Sequence, residues 1–203
     1  MPRPRSLTET DLAQAALSVI DRDGLAALSM RAVAGELGMS TMGLYRYVTD
    51  RDQLEGLVVN LLLGAVDLTL PARASWQRQL RTLMAGVWSE VGAHPQVVPL
   101  LLTNRHSSAA STAWGETVLE VLTRAGFGGK DRVIAFRALV SYLIGALQLE
   151  HLGPLAGSGT EALAGLPAEK YPRITENART AMRIPADEEF LGGLQIVLRG
   201  LSP

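Results

Sequence analysis

The sequence predicts an all-α chain, with a small N-terminal unit of helix-turn-helix spacing followed by a larger helical bundle. Two observations carry this. Apolar residues recur at intervals of three and four almost throughout, and the runs are separated by Gly, Pro and capping residues at helical lengths. No alternating apolar–polar run is long enough to supply the strands of a sheet.

Leu12, Ala16 and Ile20, with Ala13 and Leu17 beside them, form the apolar face of a first helix that starts at Thr8 or Thr10 and stops at Gly24. Ser29 caps a second, short helix carrying Val33 and Leu37, which Gly38 ends by taking a left-handed conformation. Ser40 caps a third that turns Leu44 and Val48 inward. Asp50, with Gln53 three residues later, resembles a capping box and opens a long fourth helix bearing Leu54, Leu57, Val58, Leu61, Leu62 and Ala65, closed by Pro71. Further helices are predicted near 75–92, 96–104, 109–125, 130–152, 173–183 and 186–200, with breaks at His94-Pro95, Gly126 to Gly129, Gly153-Pro154 and Ile184-Pro185. The stretch 153–172, rich in Gly, Pro and Ala, reads as a mobile loop. The division expected from this pattern is a unit of residues 1–53 and a second of 54–203.

Composition narrows the classes. A chain of 203 residues, 47% of them hydrophobic, can bury a sizeable core. No continuous apolar run approaches the roughly 18 residues of a membrane span, and the longest candidate, Leu57–Leu63, is broken by Asn60. The N-terminus has two arginines with no apolar segment behind them, so a cytoplasmic protein with no membrane partner is expected. The absence of cysteine removes disulfides, thiolate metal sites and cysteine nucleophiles together. Net charge is −1, and residues 1–55 carry six Lys/Arg against eight Asp/Glu, a balance that counts against nucleic-acid binding unless position outweighs total charge.

Position does favour it. Two short helices, Met30–Leu37 and Thr41–Tyr47, joined by Gly38-Met39-Ser40, have helix-turn-helix spacing, which lets the second helix enter a major groove. At 100° per residue, with Leu44 inward, Met42 and Arg46 point outward, flanked by Thr41 and Tyr45 on one side and Gly43 and Tyr47 on the other. An outward Arg pairs with guanine, Met meets a thymine methyl, and tyrosine hydroxyls bind phosphates. Gly43 suggests close approach of the backbone to DNA. The competing reading is generic packing, since this spacing also occurs in helical proteins that bind no DNA.

The run from Thr8 to Leu57, with "ALSMRAVAGELGMSTMGLYRYVTDRDQL" at its centre, resembles the DNA-binding domain of TetR-family transcriptional regulators. The family pattern of an "LA..LG" second helix followed by "LY.HF..K..L" appears here as "VAGELG" and "LYRYVTDRDQL". The resemblance implies backbone contacts at Tyr45 and Tyr47 and groove-facing roles for Arg31, Thr41, Met42 and Arg46. Two departures stand out. Gly35 replaces a larger residue in the second helix, at a cost of up to ~1 kcal/mol, and Arg51 stands where lysine is common, leaving phosphate pairing possible.

For the remaining helices the resemblance implies an effector pocket and a dimer surface. Leu61, Met84, Trp88, Asn104, His106, Trp114 and Tyr142 are the candidate lining of an amphiphilic pocket, although each aromatic taken singly reads more readily as core. Phe136, Val140, Ile144 and Leu147 on one helix, with Phe190, Leu194, Val197 and Leu198 on another, are the candidate interface of a homodimer. His94, His106 and His151 lie far apart, no HExxH, GxSxG or phosphate-cradling glycine motif accompanies them, and Glu188 and Glu189 read as a solvated helix cap, so no catalytic residue, metal or cofactor is expected. The expected function is a DNA-binding transcriptional regulator, a repressor released from an inverted-repeat operator in double-stranded DNA by a small hydrophobic or amphiphilic effector. The alternative is an all-helical small-molecule-binding protein or enzyme whose N-terminal helices only pack. A helix running from 51 to about 70 would carry the signal, tilted by a ligand against Leu61, Met84 and Trp88.

Overall fold

A computed structural model describes residues 7–104 and 107–202. Among them are eleven α-helices and two short 3-10 turns, with no strand, so the chain is all-α. It forms two compact units, one of Met1–Thr69 with Ser89–Val118 and one of Leu70–Trp88 with Leu119–Pro203.

In the first unit, α1 (Glu9–Asp23) begins at Thr8, whose hydroxyl accepts from the Asp11 N–H while the Asp11 carboxylate accepts from the Thr8 N–H. This reciprocal pair satisfies two of the four donors a helix start leaves open. The helix buries Leu12, Ala16 and Ile20 against α4 (Arg51–Gly64), and Gly24, at φ +86°, ends it. A 3-10 turn, Leu25–Ala27, leads into α2 (Met30–Glu36) and α3 (Thr41–Leu44). The cap of α4 differs from the expected box. Asp50 Oδ1 accepts from the Gln53 N–H at 2.8 Å, but Gln53 Oε1 reaches back to the N–H of Thr49, not Asp50.

α4 also ends earlier than Pro71. After Gly64 the Asp67 carboxylate accepts from the Thr69 N–H at 2.8 Å, a local bond that competes with continued helix and holds that carboxyl below its ordinary pKa. Asn60, the residue that interrupts the apolar run, accepts from the Ala110 N–H and the Ser108 hydroxyl at the start of α7 (Ala109–Arg124). The unit is completed by the end of α5 (Trp76–Gly92), a 3-10 turn at Pro95–Val97 and α6 (Val98–Thr103). His94 Nδ1 lies 2.8 Å from the Asp21 carboxylate and joins that turn to α1.

In the second unit the first turns of α5 bury Leu80, Leu83 and Met84, and Trp76 meets Phe127 edge-on at 5.5 Å. Gly126 and Gly129, both at positive φ, turn the chain from α7 into α8 (Gly129–Leu152). Helix α8 packs against α11 (Ala186–Gly200), and α9 (Ser158–Ala164) against α10 (Pro172–Ala181). Helix α9 corrects the expectation of a loop at 153–172. Its Ser-Gly-Thr-Glu-Ala-Leu-Ala sequence lacks an apolar period and buries nothing fully, so periodicity could not reveal it. α8 amends the membrane reading as well. By length and hydropathy (a mean of 1.5 over its most apolar window) it could cross a bilayer, because apolar residues occupy both its faces: Leu139 and Leu143 inside, Ile134, Leu149 and Leu152 outside.

Candidate nucleic-acid interface

The helix-turn-helix is built by two serine caps and one glycine. Ser29 Oγ accepts from the Ala32 N–H, starting α2, and Gly38, at φ +66°, reverses the chain while the Met39 N–H closes onto the Ala34 carbonyl at 2.9 Å. Ser40 Oγ then accepts from the Gly43 N–H at 3.1 Å and starts α3. Leu44 and Val48 are buried and fix the rotation of this segment. Its regular α-helix stops at Leu44. Residues 45–47 continue as a tighter turn in which the Arg46 N–H bonds to the Gly43 carbonyl and the Tyr47 N–H to that of Leu44. Replacing Ser40 by Ala leaves the Gly43 N–H without its cap and is expected to cost about 0.5–2 kcal/mol in urea unfolding.

On the outer side Met42 is 77% exposed, Tyr45, Arg46 and Tyr47 are exposed, and Thr41 and Gly43 are half-buried at the flanks. Arg31 and Arg46 are exposed and have no hydrogen-bond or ion-pair partner among the described residues. Gly43 has a local reason to be glycine, since a Cβ there would sit 3.0 Å from Met39 Cε and 3.3 Å from Ser40 Oγ, crowding the cap. Arg51 is engaged otherwise than expected. Its Nε donates to Glu55 at 2.7 Å and its Nη2 to the Leu25 carbonyl at 3.2 Å, so a phosphate there would compete with two internal partners.

The candidate pocket residues are dispersed. Leu61 is half-buried on α4, and Asn104 is buried at the end of α6, donating to Glu55 Oε2 at 3.2 Å and accepting from Ser107. Trp114 is buried on α7 and Met84 on α5, while His106 lies outside the described residues. Trp88 and Tyr142 are brought to one cavity, of about 260 Å³, and what joins them is Phe190. The Trp88 ring stacks on Phe190 at 4.4 Å, nearly parallel, and Tyr142 lies 5.8 Å from the other ring and donates its hydroxyl to the Phe190 carbonyl. Gly193 sits beneath the Tyr142 hydroxyl, which a Cβ would strike.

Phe190 therefore corrects the interface reading, and so do Leu147, Leu194 and Leu198. All four, with Ile144 nearly so, are buried in the chain's own core and offer nothing to a partner, while Phe136, Val140 and Val197 are half-buried. The α8 and α11 sides that face outward instead carry Ile134 and Leu152 on one, and Gly192 and Ile196 on the other. Sequence periodicity found the apolar stripe but could not divide it between core and partner, because the stripe that packs the core and one that packs a partner have the same period.

A capped, rigidly backed helix-turn-helix in an otherwise helical chain defines the class of helical DNA-reading proteins. Residues 69–203 match the family described as "Tetracyclin repressor-like, C-terminal domain". The chain is 31% identical over 206 residues to an HTH-type transcriptional regulator of Saccharopolyspora erythraea, spanning 97% of this chain and 85% of that protein. It is 28% identical to the tetracycline repressor protein class D of Escherichia coli, over 97% of this chain and 89% of that one. Among solved structures it resembles ActR of Streptomyces coelicolor in complex with actinorhodin, with a TM-score of 0.78, 25% identity and 97% of each chain covered. The chain belongs to the TetR family of transcriptional regulators.

Proposed function

We propose that this regulator is a homodimeric repressor that reads an inverted-repeat operator in double-stranded DNA and is released from it by a small hydrophobic or amphiphilic effector. The observation that carries the reading is the outward face of Met42, Tyr45, Arg46 and Tyr47 on a segment whose rotation Leu44 and Val48 fix. The net acidity of the first 55 residues is no obstacle, because Arg31 and Arg46 are unpaired while the acidic side chains of Glu36 and Glu55 are taken up by Arg22 and Arg51. Repression and an effector are supported by the tetracycline repressor and by ActR, solved with actinorhodin. In functional terms residues 1–53 read DNA and residues 54–203 bind effector and partner. The protein works in the cytoplasm, with the genome.

Two-fold symmetry demands a palindrome whose half-sites match the separation of the two reading heads. Selection of bound DNA from a random duplex pool tests the proposal, with an enriched inverted repeat as the expected result and no enrichment as the result against it. On the selected operator, Arg46→Ala should lose about 1–3 kcal/mol and relax discrimination at one base pair per half-site. Tyr45→Phe should weaken every sequence alike, since a phosphate contact carries no sequence information. Unchanged affinity and preference in Arg46→Ala would remove that side chain from base reading.

A further inference from the structure

Two of the cavities in the second unit are of opposite character. One, of about 780 Å³ between α5 and α11, is bordered by Arg78, Arg81 and Arg199. The other, the 260 Å³ cavity, is walled by Trp88, Tyr142, Phe190, Ala146 and Leu149 and carries a single charged side chain, Glu189. Among the described residues no Lys, Arg or His borders it, and Glu189 has no ion-pair partner.

Its walls are held in place before any ligand arrives. Trp88 Nε1 donates to the Asp187 carboxylate at 2.7 Å, which fixes the indole plane, and the Tyr142 hydroxyl is fixed on the Phe190 carbonyl. A ring face attracts a cation that lies within about 6 Å of its centre. A neutral occupant would strip water from the Glu189 carboxylate and return nothing, and an anion would be repelled by it and by Glu150. Partial burial and Glu150 already push the Glu189 carboxyl above its ordinary pKa, and the charge of a cation beside it acts in the opposite direction. A cavity of about 150 Å³ holds benzene, so this one has room for a ring and a compact ammonium head.

We propose that this cavity takes a cationic amphiphile, its apolar body against Trp88, Ala146 and Leu149 and its ammonium head between the Tyr142 ring and the Glu189 carboxylate. The assignment rests on the effector reading above and names the effector's chemical class.

The test uses the full-length protein with two probes of similar shape, phenyltrimethylammonium and the neutral 2-phenyl-2-propanol, titrated by calorimetry. The cation should bind about tenfold or more tightly than the alcohol. Glu189→Gln should remove about that factor from the cation and leave the alcohol unchanged, and Glu189→Lys should abolish cation binding. Thermal melting checks that both variants fold, and Trp88→Phe should remove the fluorescence response to the cation. Equal affinity for the two probes, or a cation affinity indifferent to Glu189→Gln, overturns the proposal. Cation binding seen only with a monomeric variant also overturns it, because a second copy would then occupy the cavity. Titration against the selected operator separates the two readings: release by the alcohol and not by the cation keeps the ligand-released repressor and rejects the cationic class.

Discussion

Phe190→Ala is expected to destabilise the protein by about 3–5 kcal/mol, a large share of what holds a domain folded. The ring is 1% exposed, stacked with both Trp88 and Tyr142. Removing it takes away apolar burial and both ring contacts, and leaves a hole whose walls cannot close, because Trp88 is tied to Asp187 and Tyr142 to the backbone. Urea unfolding followed by Trp emission measures the loss. A cost under about 1 kcal/mol would mean that the three rings do not form the packed unit described here.

The second large effect is on assembly. Glutamate at Ile196 or Ile134, which are 72% and 52% exposed, should give well-folded monomers, since neither side chain is part of the core of its own chain. Around Ile196, Gly192 and Gly200 leave α11 nearly bare on that side, which lets another helix come close. A specific operator affinity near 10⁻⁸ M corresponds to about −11 kcal/mol, and a monomer with one half-site keeps roughly half of it, so operator binding should fall about 10⁴-fold. Sedimentation that still reports a dimer for both variants would move the interface off α8 and α11.

What the sequence disclosed and what it hid divide along a physical line. Local rules acted where they were read: Thr8, Ser29 and Ser40 cap their helices, Gly24 and Gly38 take positive φ, and Leu44 and Val48 turn inward, leaving Met42 and Arg46 outside. These depend on neighbours within four residues, which a sequence displays. The dimer stripe and the pocket depend on partners 48 to 99 residues away, as Tyr142 with Phe190 and Trp88 with Asp187 illustrate. Periodicity says that Phe190 is covered but not by what. The same limit explains Arg51, whose charge suggested phosphate but whose partners, Glu55 and the Leu25 carbonyl, are set by how α4 meets the 3-10 turn. α9 was missed for the opposite reason, being a helix whose local sequence carries almost no pattern at all.

The carboxylate of Glu55 divides its two oxygens, Oε1 to Arg51 and Oε2 to Asn104, while Arg51 also reaches the Leu25 carbonyl. Such a group has an evolutionary consequence. Losing Asn104 leaves a partly buried acid short of a donor, losing Arg51 leaves it short of a counter-charge, and losing Glu55 strands both, so no member can drift alone without cost. Descendants of this chain that change the end of α6 must therefore carry the change through Glu55 into the first turns of α4, the helix that follows the helix-turn-helix. The three positions are inherited as one trait.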